Sequence, residues 1–330
     1  MNKITDNKDI VDKNADVVKE IPHATDTRSS DRVYVKSIDH MFYDTVDGVN
    51  YYSFNKNGRV KQQLPIIRGL DLRDDDIITC GYPKSGNHWV FEVLTMILRQ
   101  NTSFNDRVFH INMLEFLNEE VQSVLNAIPS PRNLNTHLRF HRLPLQVTEK
   151  KLKMVYVLRN PKDVAVSMYN MFINNGPLFT RYQATFGEFI DLYLQGEFFW
   201  GHWFDHVWSY ERFMNENPEH SVFIVSFEKM KEDPVKIIRG LCAFLDKPDL
   251  IAEDIARVTE FSNLKNALDN GKMKQINSFI TQPGKDFIFR KGEVGGWKDW
   301  LTAEQNEAFN KLYEVKMAGS KLADIIREYI

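Results

Sequence analysis

The sequence predicts an α/β fold: one domain with a central parallel sheet flanked by helices. Two observations carry this. Short apolar runs alternate with helical patterns along the chain, and a loop of Gly, Ser and Lys joins the first such run to a helix. Strands that alternate with helices need crossovers, which forces the strands parallel. Ligands of such sheets gather at the carboxyl ends of the strands. The 330 residues, 43% of them hydrophobic, suffice for one large core or at most two domains.

The elements follow in chain order. Residues 1–32 are polar and charged, with too few apolar side chains to bury, and are expected to be a disordered extension of a domain at 33–330. "DIITCGY" reads as the first strand. "YPKSGNHW" then turns into a helix whose apolar residues Trp89, Val93, Met96 and Ile97 have helical spacing. "RNLNTHL" is a weaker second strand, "KMVYVLRN" a clear third and "SVFIVSFEKM" a fourth. After the third, Asn160 can cap, Pro161 suits the first helical position and Asp163 suits the first turn. "FGEFIDLYLQG" and "AEQNEAFNKLYEVKMAG" read as helices, and Gly271 and Gly284 mark loops.

The net charge of −3 argues against nucleic-acid binding. The two cysteines, Cys80 and Cys242, lie far apart in apolar runs and read as reduced core thiols. No basic-then-apolar leader is present, and no apolar run approaches the ~18 residues of a membrane span. A cytoplasmic protein without membrane contact is expected.

The loop after the first strand has the layout of a phosphate site: strand, tight turn, helix N-terminus. Gly81 and Gly86 have the spacing of a nucleoside-triphosphatase loop, but Asn87 and His88 stand where Lys and Ser/Thr would be. The Lys has moved inside, to position 84. With no hydroxyl at the magnesium position, the loop is expected to grip a phosphate-like group without metal. Arg159 at the end of the third strand, with Ser167 two helical turns on, makes a second anion clamp. Arg290 and Lys291, ahead of a Gly-rich loop, make a third. Two His pairs four residues apart, His137/His141 and His202/His206, lack acidic or Cys partners at convincing spacing, so no metal site is expected.

The segments "YPKSGNHW", "SPRNLNTHLRFHRLP", "VYVLRNPKDVAVSMY" and "FRKGEVGGWKDWLTAEQNE" resemble the cytosolic sulfotransferases in order and spacing, over roughly residues 45–325. The resemblance implies a single α/β domain that transfers a sulfuryl group from 3′-phosphoadenosine 5′-phosphosulfate (PAPS) to a hydroxyl or amine. It implies that the backbone of Ser85, Gly86, Asn87 and His88 holds the 5′-phosphate and that Lys84 neutralises the leaving oxygen. It implies that Trp89 and Phe261 sandwich adenine, with Thr259 and Phe227 alongside. Phe227 stands where the family usually has Tyr, so a hydroxyl contact is missing. Arg159, Ser167, Arg290, Lys291 and the Gly292 backbone match the 3′-phosphate site.

By the same resemblance His137 is the general base, a role suited to imidazole near neutral pH. Asn135 departs from the family, which mostly has Lys there. Asn brings no charge to the transferring group, so slower turnover is expected, or a contact to the acceptor instead. The aromatic and Met-rich stretch from Met168 to Trp208 is expected to divide, about two-thirds core and one-third apolar acceptor pocket. "KDWLTAEQNE" resembles a dimerisation segment through Lys298, Thr302 and Glu307, weakened by Ala303 in place of Val. Two other readings stay open: a phosphotransferase using ATP, and a nucleotide-binding relative with little turnover.

Overall fold

The computed structural model describes residues 43–52, 60–104, 112–117, 119–174, 182, 184–270 and 291–330. The expected N-terminal extension, Gly271, Gly284 and Arg290 lie outside the described residues. A hairpin comes first: β1 (Tyr43–Val46) pairs antiparallel with β2 (Val49–Tyr52). Its turn is Asp47-Gly48, both at positive φ (50° and 72°), which matches the twist of a two-residue hairpin. Helix α1 (Val60–Arg68) follows. Then come β3 (Ile77–Gly81), α2 (Asn87–Arg99), a short 3-10 turn (Leu114–Phe116), α3 (Glu119–Asn126) and β4 (Asn133–Thr136). Next are α4 (Gln146–Glu149), β5 (Met154–Leu158), α5 (Pro161–Asn174), α6 (Phe186–Gln195), α7 (Trp203–Glu216) and β6 (Val222–Ser226). The chain closes with α8 (Phe227–Glu232), α9 (Pro234–Phe244), α10 (Ala252–Val258), α11 (Phe261–Asp269), α12 (Ala303–Lys316) and α13 (Lys321–Ile326).

The four expected strands form one parallel sheet in the order β4-β3-β5-β6. From β3 the chain steps outward to β4, then returns to the other side of β3 as β5. That reversal leaves a crevice at the carboxyl ends of β3, β4 and β5, where open α/β sheets bind ligands. Every residue of β3 and β5 is buried, because helices cover both faces. Alternate residues divide between the faces. Ile77, Val155, Val157 and Val225 pack with α2, α9 and α10. Ile78, Cys80, Leu134, Met154 and Tyr156 pack with α5, α6, α7 and α12.

The aromatic stretch is more core than expected. Met168, Tyr169, Met171, Phe172, Phe198, Phe199, Trp203 and Phe204 are all buried, and half-buried Trp208 donates from Nε1 to the Lys316 carbonyl at 2.7 Å. The reason is the hairpin. Tyr43 and Tyr52 pack on Phe199, and Trp200 N–H donates to the Asn50 carbonyl at 2.7 Å, so β1 and β2 roof this stretch. Among the described residues, Trp200 is the aromatic of this stretch whose ring lies beside His137, at 6.4 Å and nearly perpendicular.

Candidate active site

The loop from β3 to α2 is shaped by two glycines. A Cβ on Gly81 would fall 2.6 Å from the Val157 carbonyl oxygen, so only Gly allows β3 to pack this closely on β5. Lys84 (φ 70°) and Gly86 (φ 102°) both lie in the left-handed region, which curls the backbone amides between them inward. Ser85 N–H closes the turn on the Tyr82 carbonyl at 3.2 Å. Among the described residues no side chain caps α2. Its first N–H groups therefore point with the positive end of the helix dipole into the loop, an arrangement that holds anions. Ser85 Oγ and Trp89 Nε1 are buried there without a hydrogen-bond partner among the described residues. Buried polar atoms without partners are rare, and here they fit a bound phosphate-bearing nucleotide.

The Arg159 guanidinium joins two loops. Nη1 donates to the Lys84 carbonyl at 3.0 Å, Nη2 donates to the Glu293 carbonyl at 3.1 Å, and the group lies 4.0 Å above the Phe227 ring. Phe227 also meets the edge of Trp89 at 5.7 Å and would clash with any Cβ on Gly86, at 2.7 Å. Trp89 and Phe261 pack in one cluster with Phe104 and Leu264. Gly292 (φ 63°) sits against the Phe261 ring, where a Cβ would come within 2.2 Å. The Gly-rich loop is held from below by Asp163, which accepts from Gly295 N–H at 2.8 Å and Trp297 N–H at 3.0 Å. Ser167 is half-buried on α5, and Lys291 is exposed beside Glu293 at 3.8 Å. Thr259 is fully buried and donates its hydroxyl back to the Ile255 carbonyl at 2.8 Å.

His137 follows β4. Its Nδ1 lies 2.8 Å from the Gly81 carbonyl oxygen, which can only accept. That assigns the proton to Nδ1 and leaves the Nε2 lone pair available as a base. Asn87 donates from Nδ2 to the Tyr82 carbonyl at 3.0 Å and lies 3.3 Å from the same imidazole. Burial, and then the Lys84 charge, push the imidazole down to about 4, so it is neutral at physiological pH. Burial also holds His88 well below its usual range. Asn135 is fully buried, and neither its Oδ1 nor its Nδ2 has a partner among the described residues.

The structure thus brings Lys84, Ser85, Gly86, Asn87, Trp89, Phe227 and Arg159 into one cluster and places His137 beside its Gly81–Asn87 flank. Sequence reasoning missed Asp163 and Glu228 as supports. Glu228 accepts from Asn160 N–H at 2.8 Å and so fixes the residue after Arg159. It missed Glu115 too, which accepts from His137 N–H. Asp163 showed only as a first-turn acid, and no pattern in the chain marked Glu228 or Glu115. Among the described residues no group of three or more His, Cys, Asp or Glu is placed to hold a metal.

Fold and loop together describe a protein that handles a phosphate-bearing nucleotide at the carboxyl edge of a parallel sheet, with a neutral imidazole beside the loop. The family model for the sulfotransferase domain matches residues 74–321, so the chain belongs to the sulfotransferase family. It is 32% identical over 263 residues to sulfotransferase 6B1 of Danio rerio, covering 79% of this chain and 85% of that protein. It is 33% identical over 259 residues to sulfotransferase 1B1 of Mus musculus, covering 75% and 84%. The crystal structure of mouse sulfotransferase SULT7A1 complexed with PAP superposes with a TM-score of 0.72 at 32% identity, over 87% of this chain and 98% of that one. The protein is a PAPS-dependent transferase of sulfuryl groups to small acceptors.

Proposed function

We propose that this chain sulfates the hydroxyl of a small lipophilic acceptor, with His137 as general base and the Lys84–Trp89 loop as the phosphosulfate site. The observation that carries it is the imidazole of His137, fixed through Nδ1 on Gly81 at the rim of that loop. PAPS, when bound, supplies the sulfuryl group and a phosphate leaving group. His137 Nε2 takes the proton of the acceptor hydroxyl as its oxygen closes on sulfur. Lys84 neutralises the charge that grows on the bridging oxygen as the S–O bond breaks. The amides of Ser85, Gly86, Asn87 and His88 hold the 5′-phosphate. Positioning and charge stabilisation carry such transfers.

Trp89 and Phe261 would sandwich adenine, with Phe227 and Thr259 at its edge. Arg159, Ser167, Lys291, Arg290 and the Gly292 backbone would hold the 3′-phosphate, a reading supported by Arg159 Nη2 donating to the Glu293 carbonyl of the Gly292 loop. Trp200 supports an apolar acceptor. It is a bulky residue at φ 67°, an uncommon conformation held by its hydrogen bond to Asn50, and such strain favours a functional role. Lys298 ahead of α12, and Thr302, Ala303 and Glu307 at its start, are exposed and so free to form a homodimer through this segment, in a protein we place in the cytoplasm.

Single-turnover transfer from radiolabelled PAPS to a panel of phenols, steroids, alkanols and amines tests the reading. His137→Ala should slow the transfer by about 10² to 10⁴ while adenosine 3′,5′-bisphosphate still binds. Wild-type single-turnover rates in that variant would remove His137 as the base.

A further inference from the structure

The segment ahead of α3 is clamped onto β4 at three successive points. Asn112 Nδ2 donates to the Asn133 carbonyl at 2.7 Å, Met113 bridges Asn135 as a parallel strand would, and Glu115 Oε1 accepts the backbone N–H of His137. Met113, Leu114 and Glu115 are all buried. The clamp therefore runs along the outer edge of the sheet and ends at the residue that carries the base. A carboxylate here is unexpected. Burying one costs several kcal/mol unless something uses it, and a neutral acceptor would bond the same amide.

We propose that Glu115 is a positioning residue: its carboxylate holds the backbone of His137 at the end of β4 and thereby sets the reach of the imidazole to the acceptor hydroxyl. This rests on His137 being the base. The charged carboxylate makes the stronger, shorter bond to an amide, so ionisation stiffens the turn and protonation loosens it. Burial pushes this carboxyl up to about 7, against the opposing pull of the His137 and Leu138 amides and the Thr136 hydroxyl. The groups facing it do not titrate there. Burial pushes Tyr51 of β2 up to about 12 and holds Tyr210 of α7 well above its usual range. The charge of Arg139, just past β4, acts on Tyr51 from the same side and is paired with Asp205 at 3.2 Å. The His137 imidazole lies down at about 4. The rate of transfer should therefore rise with pH through neutrality, on a limb that belongs to Glu115.

The test is single-turnover sulfuryl transfer from about pH 5.5 to 8.5 with the wild type, Glu115→Gln, Glu115→Asp and His137→Ala. The wild type should show a limb with its midpoint near neutrality. Glu115→Gln should lose that limb and transfer about 10- to 100-fold more slowly at the alkaline end, with its affinity for adenosine 3′,5′-bisphosphate unchanged. Glu115→Asp, which keeps the charge, should recover part of the rate and the limb. A flat wild-type profile, or a Glu115→Gln protein with the wild-type rate and limb, overturns the proposal. If Glu115→Gln fails to bind the bisphosphate, the wild-type profile decides alone. Undiminished transfer by His137→Ala would instead mean that the base itself has been misassigned.

Discussion

The two ends of β3 and β4 are built on opposite terms. At the amino ends, Asp76 and Arg132 form a buried ion pair, with side chains 0% and 1% exposed. Arg132 Nε donates to Asp76 Oδ1 at 2.8 Å, Nη2 donates to Oδ2, and Arg73 N–H adds a bond to Asp76 at 2.7 Å. Nη1 reaches Asn126 Oδ1 at 3.3 Å. The charges are matched. At the carboxyl ends of the same strands, Ser85 Oγ, Asn87 Oδ1 and both polar atoms of Asn135 are buried with no partner among the described residues. Buried polar atoms without a described partner thus gather at the carboxyl edge, as they would at an edge reserved for a ligand, whereas the ion pair at the amino edge is matched. We read the first edge as serving stability and the second as reserved for chemistry.

The largest expected effect breaks the first edge. Asp76→Ala leaves the Arg132 guanidinium buried without its carboxylate, which should cost about 3–5 kcal/mol of stability. Urea unfolding measures it, and transfer per folded molecule should stay near that of the wild type. A loss under about 1 kcal/mol would mean that the pair matters no more than a surface bridge.

The next effect sharpens the second edge. If the Arg159 and Gly292 side holds a 3′-phosphate, removing that phosphate removes charge-assisted hydrogen bonds worth about 1.5–3 kcal/mol, tenfold or more in affinity. Calorimetric titration with adenosine 5′-phosphosulfate and with its 3′-phosphorylated form gives the comparison. Equal affinities would mean that Arg159 ties the Lys84 and Glu293 loops together and does no more.

The two edges were also unequally legible in the sequence. The strands showed themselves because sheets covered on both faces produce unbroken apolar runs, as in "DIITCG" and "MVYVL". The loop showed itself because Gly81, Gly86 and Lys84 have few other reasons to sit between a strand and a helix. The hairpin was overlooked although Asp47-Gly48 is a strong turn signal, because its strands are short and lie just past the polar segment. The aromatic stretch could not be apportioned between core and pocket by pattern, since rings occupy nearly every face of it. What packs over it, the hairpin, is about 150 residues away in the chain. Asp163 reads as an ordinary first-turn acid, yet it fixes a loop 132 residues later. Glu115 is one acid in an apolar "MLEF", and nothing short of the folded backbone joins it to His137.

The smallest effect tests the contrast most directly. Asn135 is the extreme case of the second edge, fully buried on β4 with a side-chain amide that bonds nothing described. If that amide is held ready for the transferring group or the acceptor, the folded chain alone gains nothing from it. Replacing it by an apolar, β-branched residue should then raise stability, by about 1 kcal/mol, because the desolvation cost of the unpaired amide disappears. The measurement is the urea midpoint of Asn135→Val beside that of the wild type. A higher midpoint with slower transfer is the predicted result. A midpoint lowered by a comparable amount would show that the fold itself depends on this amide, and that the carboxyl edge is not the reserved surface described above.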